Sequence, residues 1–201
     1  MPVVRAQLES SGVSADRVVF IDDNPGEGFV NGHQIVCFHD FMEIDARNRY
    51  VSIAIASGEI REELTKKCID SGATLLNVIA QNVVSMDDVE IGEGAILSPF
   101  VTITSNVKIG KSFHANIYSY VAHDCVIGDF VTFAPAVRCN GNVVIEDHAY
   151  IGTGAIIKQG RPGKPLVIGR GAVIGMGAVV TKDVPPGLTV VGNPARPLQR
   201  G

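Results

Sequence analysis

Residues 89–157 read VEIGEGAILSPFVTITSNVKIGKSFHANIYSYVAHDCVIGDFVTFAPAVRCNGNVVIEDHAYIGTGAII. Counting in sixes from Ile91 gives Leu97, Ile103, Ile109, Ala115, Val121, Ile127, Phe133, Cys139, Ile145, Ile151 and Ile157, every one apolar. A second set lies two residues before each: Val89, Ala95, Val101, Val107, Phe113, Ser119, Cys125, Val131, Val137, Val143, Ala149 and Ala155. Small residues often follow the first set, among them Gly92, Gly110, Gly128 and Gly152. A period of six is neither helical nor a simple alternating strand. It fits short strands whose residues i and i−2 share a face, joined by tight corners. Three such strands make a triangular coil of about eighteen residues, and coils stack at roughly 4.8 Å, the spacing of paired strands. The apolar residues then form columns running up a continuous core.

Beyond Ile157 the beat slips by five residues across Arg161–Pro165 and resumes at Ile168, Ile174 and Val180. Before residue 80 the pattern is different. Val18–Asp22 (VVFID), Ile35–Phe38, Tyr50–Ile55 (YVSIAI) and Thr74–Val78 read as short strands. Glu59–Ser71 has helical spacing, with Ile60, Leu64, Lys67 and Cys68 along one side. This alternation predicts a small α/β unit with a parallel sheet. Asp22 and Asp23 close its first strand, where a carboxylate either meets a ligand hydroxyl or base edge or simply begins an Asp22-Asp23-Asn24-Pro25 turn.

Composition narrows the function classes. The 201 residues carry a net charge of −4 and no Trp, which leaves neither a basic field nor a base-stacking surface for nucleic acid. Mean hydropathy is +0.23, yet no run reaches the roughly 18 apolar residues of a membrane span. Cys37, Cys68, Cys125 and Cys139 lack metal-ligand spacing, and no secretory signal precedes them. Reduced thiols, a cytoplasmic location and no metal are the expectation.

The repeat resembles the hexapeptide-repeat proteins, whose coils wind left-handed. The whole chain resembles the bacterial nucleotide-sugar N-acetyltransferases that act on 4-amino sugars, and equally their relatives that are sialic acid O-acetyltransferases. The most specific stretches are Phe20–Asp23 (FIDD), Ala122–Asp129 (AHDCVIGD), Cys139–Ile145 (CNGNVVI) and Val190–Leu198 (VVGNPARPL). The implied fold class is mainly β: a left-handed parallel β-helix over residues 81–201, with a C-terminal tail. A small Rossmann-like, nucleotide-sugar-binding α/β subdomain over residues 1–80 precedes it. Family members open with a strand and a Gly-rich turn near the nucleotide phosphates. Here Met1 leads directly into VVRAQLESSG, which reads as the following helix, so the subdomain is expected to be N-terminally incomplete.

Acetyl transfer needs a base for the acceptor's proton and donors for the oxyanion formed at the thioester carbonyl. His123 falls at a corner outside the apolar columns, with Asp124 beside it to fix the ring tautomer. Eighteen residues on is Gly141, which the repeat stacks over His123 with a backbone N–H free of any Cβ. The resemblance implies that His123 is the general base, Asp124 its support and Gly141 a donor to the acetyl-CoA carbonyl. It further implies that acetyl-CoA, the co-substrate, lies between neighbouring helices of a homotrimer against Thr132, Thr153 and Met176. The family often has His where this chain has Thr132. Flat, partly apolar faces on a short β-helix also favour packing three copies about an axis. Arg161 and Lys164 either meet CoA phosphates or form a solvated loop. His114 and His148 read as structural or substrate-lining, and His33 and His39 as surface residues.

The leading expectation is therefore an acetyl-CoA-dependent N-acetyltransferase of a nucleotide-linked amino sugar, with Asp22 and Asp23 as substrate contacts. O-acetylation of a sialic acid or another surface-polysaccharide sugar uses the same groups. A non-catalytic trimeric scaffold needs none of them. A carbonic-anhydrase-like β-helix needs three converging His ligands, which His114 and His123 do not begin to supply.

Overall fold

The structure is a computed structural model, and it describes residues 2–14, 17–24 and 28–199. From Val78 onward the chain runs in strands of two or three residues that turn a corner after each. As far as Ile156, strands pair in parallel at a spacing of eighteen residues. On the first face Val78, Ile96, His114, Thr132 and Tyr150 align. Thr102, Tyr120, Arg138 and Ile156 align on the second, and Lys108, Val126 and Val144 on the third. The result is a three-sided prism with sheets of eight, six and five strands. Across Arg161–Lys164 the register lengthens, so Val144 pairs with Val167 and Ile156 with Val179. The five-residue slip is a tight turn closed by reciprocal Arg161–Lys164 backbone bonds.

Both apolar columns point inward. Leu97, Ile103, Val121, Phe133, Cys139, Ile145, Ile151 and Ile157 are fully buried, as are Ala95, Val101, Val107, Phe113, Val131, Val137 and Val143. Ser119 is the polar member, and its hydroxyl both donates to Ala134 O and accepts Val137 N–H, so its burial leaves nothing unpaired. The corners carry a feature that the apolar pattern did not reveal. Every sixth residue from Asp88 to Gly154 has a left-handed backbone, including Phe100, Tyr118, Phe130 and Ala136, residue types that rarely adopt it. Closure of the triangle outweighs their local preference.

The two ends of the prism are finished differently. Helix α1 (Pro2–Ser10) lies under the first rung, where Gln7 donates to Asn77 O and accepts Ile79 N–H. The last rung, Thr189–Val191, is covered by an antiparallel strand, Arg196–Pro197.

The N-terminal unit departs from expectation at several points. Phe20–Ile21 pairs in parallel with His33–Val36, but Phe29–Val30 pairs antiparallel with that same strand, so the sheet is mixed. Cys37 ends no strand: its sulfur accepts Asp40 N–H and starts a helix, α2 (Phe38–Glu43), that the apolar spacing did not predict. Only Tyr50–Val51 of the YVSIAI stretch pairs, with Thr74–Leu75. His33 is half-buried against Phe20 and Val18 O, not a surface residue, whereas His39 is exposed.

Helix α3 (Gly58–Asp70) forms over the expected span but buries a different face. Gly58, Arg61, Thr65 and Cys68 are covered, whereas Ile60 is 49 % exposed. The reason is Arg61. It is wholly buried, and its guanidinium donates to Ser112 O, Phe130 O and Val131 O of the prism and to Ile55 O and Ala56 O of its own unit. Burial lowers its pKa to about 10, so it stays charged at neutral pH. Gly58 fits because a Cβ there would meet Phe130 O at 2.8 Å and His148 Nδ1 at 3.1 Å. This clamp seats the N-terminal unit on the edge between the third and first faces.

Candidate active site

His123, Asp124 and Gly141 come together on the edge between the second and third faces. Asp124 N–H donates to Ser105 O on the rung below, and Asn142 N–H donates to His123 O from the rung above. These bonds fix the eighteen-residue stacking at this corner. His123 Nδ1 lies 2.7 Å from Asp124 Oδ2. A carboxylate only accepts, so Nδ1 carries the proton and Nε2 is left as the basic nitrogen. The His123 bond, and then a bond from Asn106, hold the Asp124 carboxyl below the usual carboxylate range, so it is ionised near neutrality in the folded chain.

The His123 ring closely abuts Gly141. A Cβ at that position would sit 2.6 Å from both Cε1 and Nε2, so only glycine lets the imidazole stand there. Gly141 O accepts Gly160 N–H, while Gly141 N–H meets no acceptor among the described residues. A basic nitrogen on an exposed side chain thus neighbours an unused backbone donor on a buried glycine. That pair can take a proton from a nucleophile and stabilise the oxyanion its attack creates. The Arg161–Lys164 turn projects from the same edge, one rung above, anchored by Gly160.

The residues expected to hold acetyl-CoA lie elsewhere on the prism. Thr153 and Met176 occupy successive rungs of the edge between the first and second faces, joined by the bond from Gly177 N–H to Thr153 O. Both are exposed, Met176 by 81 %. Thr132 is different. It is 3 % exposed on the first face, and its hydroxyl donates to Ala56 O. In this structure it seats the segment before α3, and that hydroxyl is not open to a cofactor. A cavity of about 200 Å³ beside it is lined by Gly58, Glu59, His148 and Tyr150.

Asp22 and Asp23 are also engaged. Asp22 accepts Asn24 N–H in a local turn, while Asp23 accepts Phe38 N–H at the start of α2 and pairs with Lys67 at 3.4 Å. Pro25, the last residue of that expected turn, lies outside the described residues. His114 is buried beside Arg61, and burial lowers its pKa to about 3, so it is a neutral packing group. His148 stacks on Phe130 and pairs with Glu62. Among the described residues no cluster of His, Cys, Asp and Glu could hold a metal ion, and no helix is long and apolar enough to cross a membrane. All four cysteines are free thiols.

The stacked triangular coils form a parallel β-helix of the hexapeptide-repeat kind, the left-handed fold of its acetyltransferase neighbours. No family model matches the sequence. Individual relatives do. Over 200 residues, all of this chain and 90 % of the relative, it is 50 % identical to GDP-perosamine N-acetyltransferase of Escherichia coli O157:H7. WeeI from Acinetobacter baumannii AYE superposes with a TM-score of 0.96 at 57 % identity, covering 98 % of this chain and 92 % of that one. PerB from Caulobacter crescentus, solved with CoA and GDP-perosamine, gives 0.86 at 27 % identity over 98 % of this chain and 91 % of that one. The chain belongs to the nucleotide-sugar N-acetyltransferase family of the hexapeptide-repeat proteins.

Proposed function

We propose that the protein transfers the acetyl group of acetyl-CoA to the amino group of a nucleotide-linked amino sugar, with His123 as general base. The observation that carries the mechanism is the His123 ring seated on Gly141 with its Nδ1 proton held by Asp124. The acceptor nitrogen attacks the thioester carbonyl. His123 Nε2 takes the proton that the nitrogen sheds, Asp124 stabilises the imidazolium, and Gly141 N–H donates to the oxyanion. Collapse expels the CoA thiolate, which receives that proton from the imidazolium. Relatives named for N-acetylation support an amine acceptor over the hydroxyl of a sialic acid. Bound CoA and GDP-perosamine in the PerB structure support the substrate class. The free thiols of its four cysteines support a reducing compartment, and we place the protein in the cytoplasm.

Three different edges of one prism carry the catalytic corner, the N-terminal unit, and Thr153 with Met176. We infer that the working enzyme is a homotrimer, in which the catalytic corner of one copy faces the acetyl-CoA and sugar contacts of another. Asp22 and Asp23 remain our proposed acceptor contacts, and Thr153, Met176 and Gly141 our proposed acetyl-CoA contacts. The first test follows CoA release with a panel of GDP- and UDP-linked amino sugars. With the best acceptor, His123→Asn is expected to lose about 10³-fold in turnover with an unchanged melting temperature. Near-normal turnover in that variant removes the mechanism, and a sedimentation mass of one chain removes the shared site.

A further inference from the structure

The Asp124 carboxylate sits on an exposed corner, with its side chain 47 % accessible, and no Lys or Arg pairs with it among the described residues. Lys108, on the rung below, is paired with Glu90. Left to itself, such a carboxylate rotates and shares its time between the histidine and water. It is held by one other group. Asn106 lies eighteen residues earlier on the same edge, and its Nδ2 donates to Asp124 Oδ1 at 3.1 Å. The two carboxylate oxygens are therefore divided, Oδ1 to Asn106 and Oδ2 to His123 Nδ1.

Asn106 is itself fixed. Its backbone is left-handed, at φ 58°, in register with Asp124 at 57°, and its N–H donates to Asp87 O. Asparagine tolerates that conformation, and its amide is a neutral donor. A lysine or arginine here would hold the carboxylate equally well but would cancel the negative charge that the imidazolium needs.

We propose that Asn106 is a positioning residue for acetyl transfer, locking the Asp124 carboxylate so that Oδ2 keeps the His123 Nδ1 proton and Nε2 stays basic beside Gly141. This rests on His123 acting as the base. Asn106 touches neither substrate; it works through Asp124.

The clean variant is Asn106→Gly, which removes the amide without placing a Cβ at a left-handed corner. Full-length enzyme is assayed by CoA release with acetyl-CoA and the best acceptor from the panel. The expected result is a kcat lower by about 10-fold, with KM for both substrates within about 2-fold, because orientation of the base is lost and binding is not. Asn106→Asp keeps the shape but replaces the donor with a like charge, and its kcat is expected to fall at least as far. In an Asp124→Asn background, Asn106→Gly is expected to cost less than about 2-fold more, since its only client is gone. Wild-type kcat in Asn106→Gly, a rise in KM with kcat preserved, or a full multiplicative loss on top of Asp124→Asn would each overturn the proposal. His123→Asn is run beside them. If it is inactive while Asn106→Gly matches wild type, the positioning role alone is wrong. If His123→Asn retains near-normal turnover, the underlying base mechanism fails first.

Discussion

In the prism, Val101, Phe133 and Ile151 are wholly buried within a core that runs from Leu97 to Val190. In the N-terminal unit, α1 and α2 bury no residue, and the local core consists of Val51, Cys68 and Ala73 with half-buried neighbours. Each rung of the prism is covered by the rung above it, so packing repeats and reinforces itself. The N-terminal unit is too thin to make a comparable core, and much of its order is borrowed through Arg61. A firmly packed edge carrying the proposed base and a thinly packed unit on another edge suit the proposed reaction, in which the base must be held in place while a bulky acceptor is admitted.

That contrast can be broken in four ways. Phe133→Ala strikes the continuous column and is expected to lower global stability by about 3–5 kcal/mol in chemical denaturation. A smaller loss than that of any N-terminal variant would refute the ranking. Arg61→Met removes the clamp and leaves buried carbonyls of the prism unpaired. We expect about 3 kcal/mol less protection of α3 amides in hydrogen exchange, with the amides of Val101–Ile151 unaffected. Acidification is expected to act next. His114 is held neutral by burial, with its pKa lowered to about 3 from an unfolded value of about 6.5. The unfolded chain therefore binds more protons between those values, and stability falls as pH drops below about 6.5. Melting curves between pH 7.5 and 5 should show this loss first around α3, and a rise in stability would contradict it. The smallest effect is expected from Ile60→Ser, within about 0.5 kcal/mol, because that side chain faces solvent.

The prism was legible because each coil must fill the same columns, so six-residue spacing records the fold directly. His123 and Gly141 were legible for the same reason, since adding eighteen moves one rung up the edge. Subtracting eighteen from Asp124 leads equally to Asn106, whose part is invisible to a pattern of bases and oxyanion donors because it is neither. The buried face of α3 was not legible. Apolar spacing pointed to Ile60, but the contact is made by an arginine whose partners are backbone carbonyls, and these leave no trace in side-chain patterns. The resemblance placed Thr132 against acetyl-CoA, and side-chain patterns are equally blind to the bond it makes here, from its hydroxyl to a carbonyl of the unit folded over it. The left-handed Phe100, Tyr118 and Phe130 show tertiary closure overruling residue preference at about 1–2 kcal/mol per position.

Gln7 bears on a hazard common to stacked-strand proteins. The lowest rung ends in peptide groups that any passing strand could extend, and copies joined end to end would grow without limit. The Gln7 amide meets Asn77 O and Ile79 N–H as a strand would, yet it offers nothing further to pair with. At the opposite end the reversed Arg196–Pro197 segment does similar work. One side chain and one backward turn thus help keep a shape suited to fibres as a discrete, countable particle.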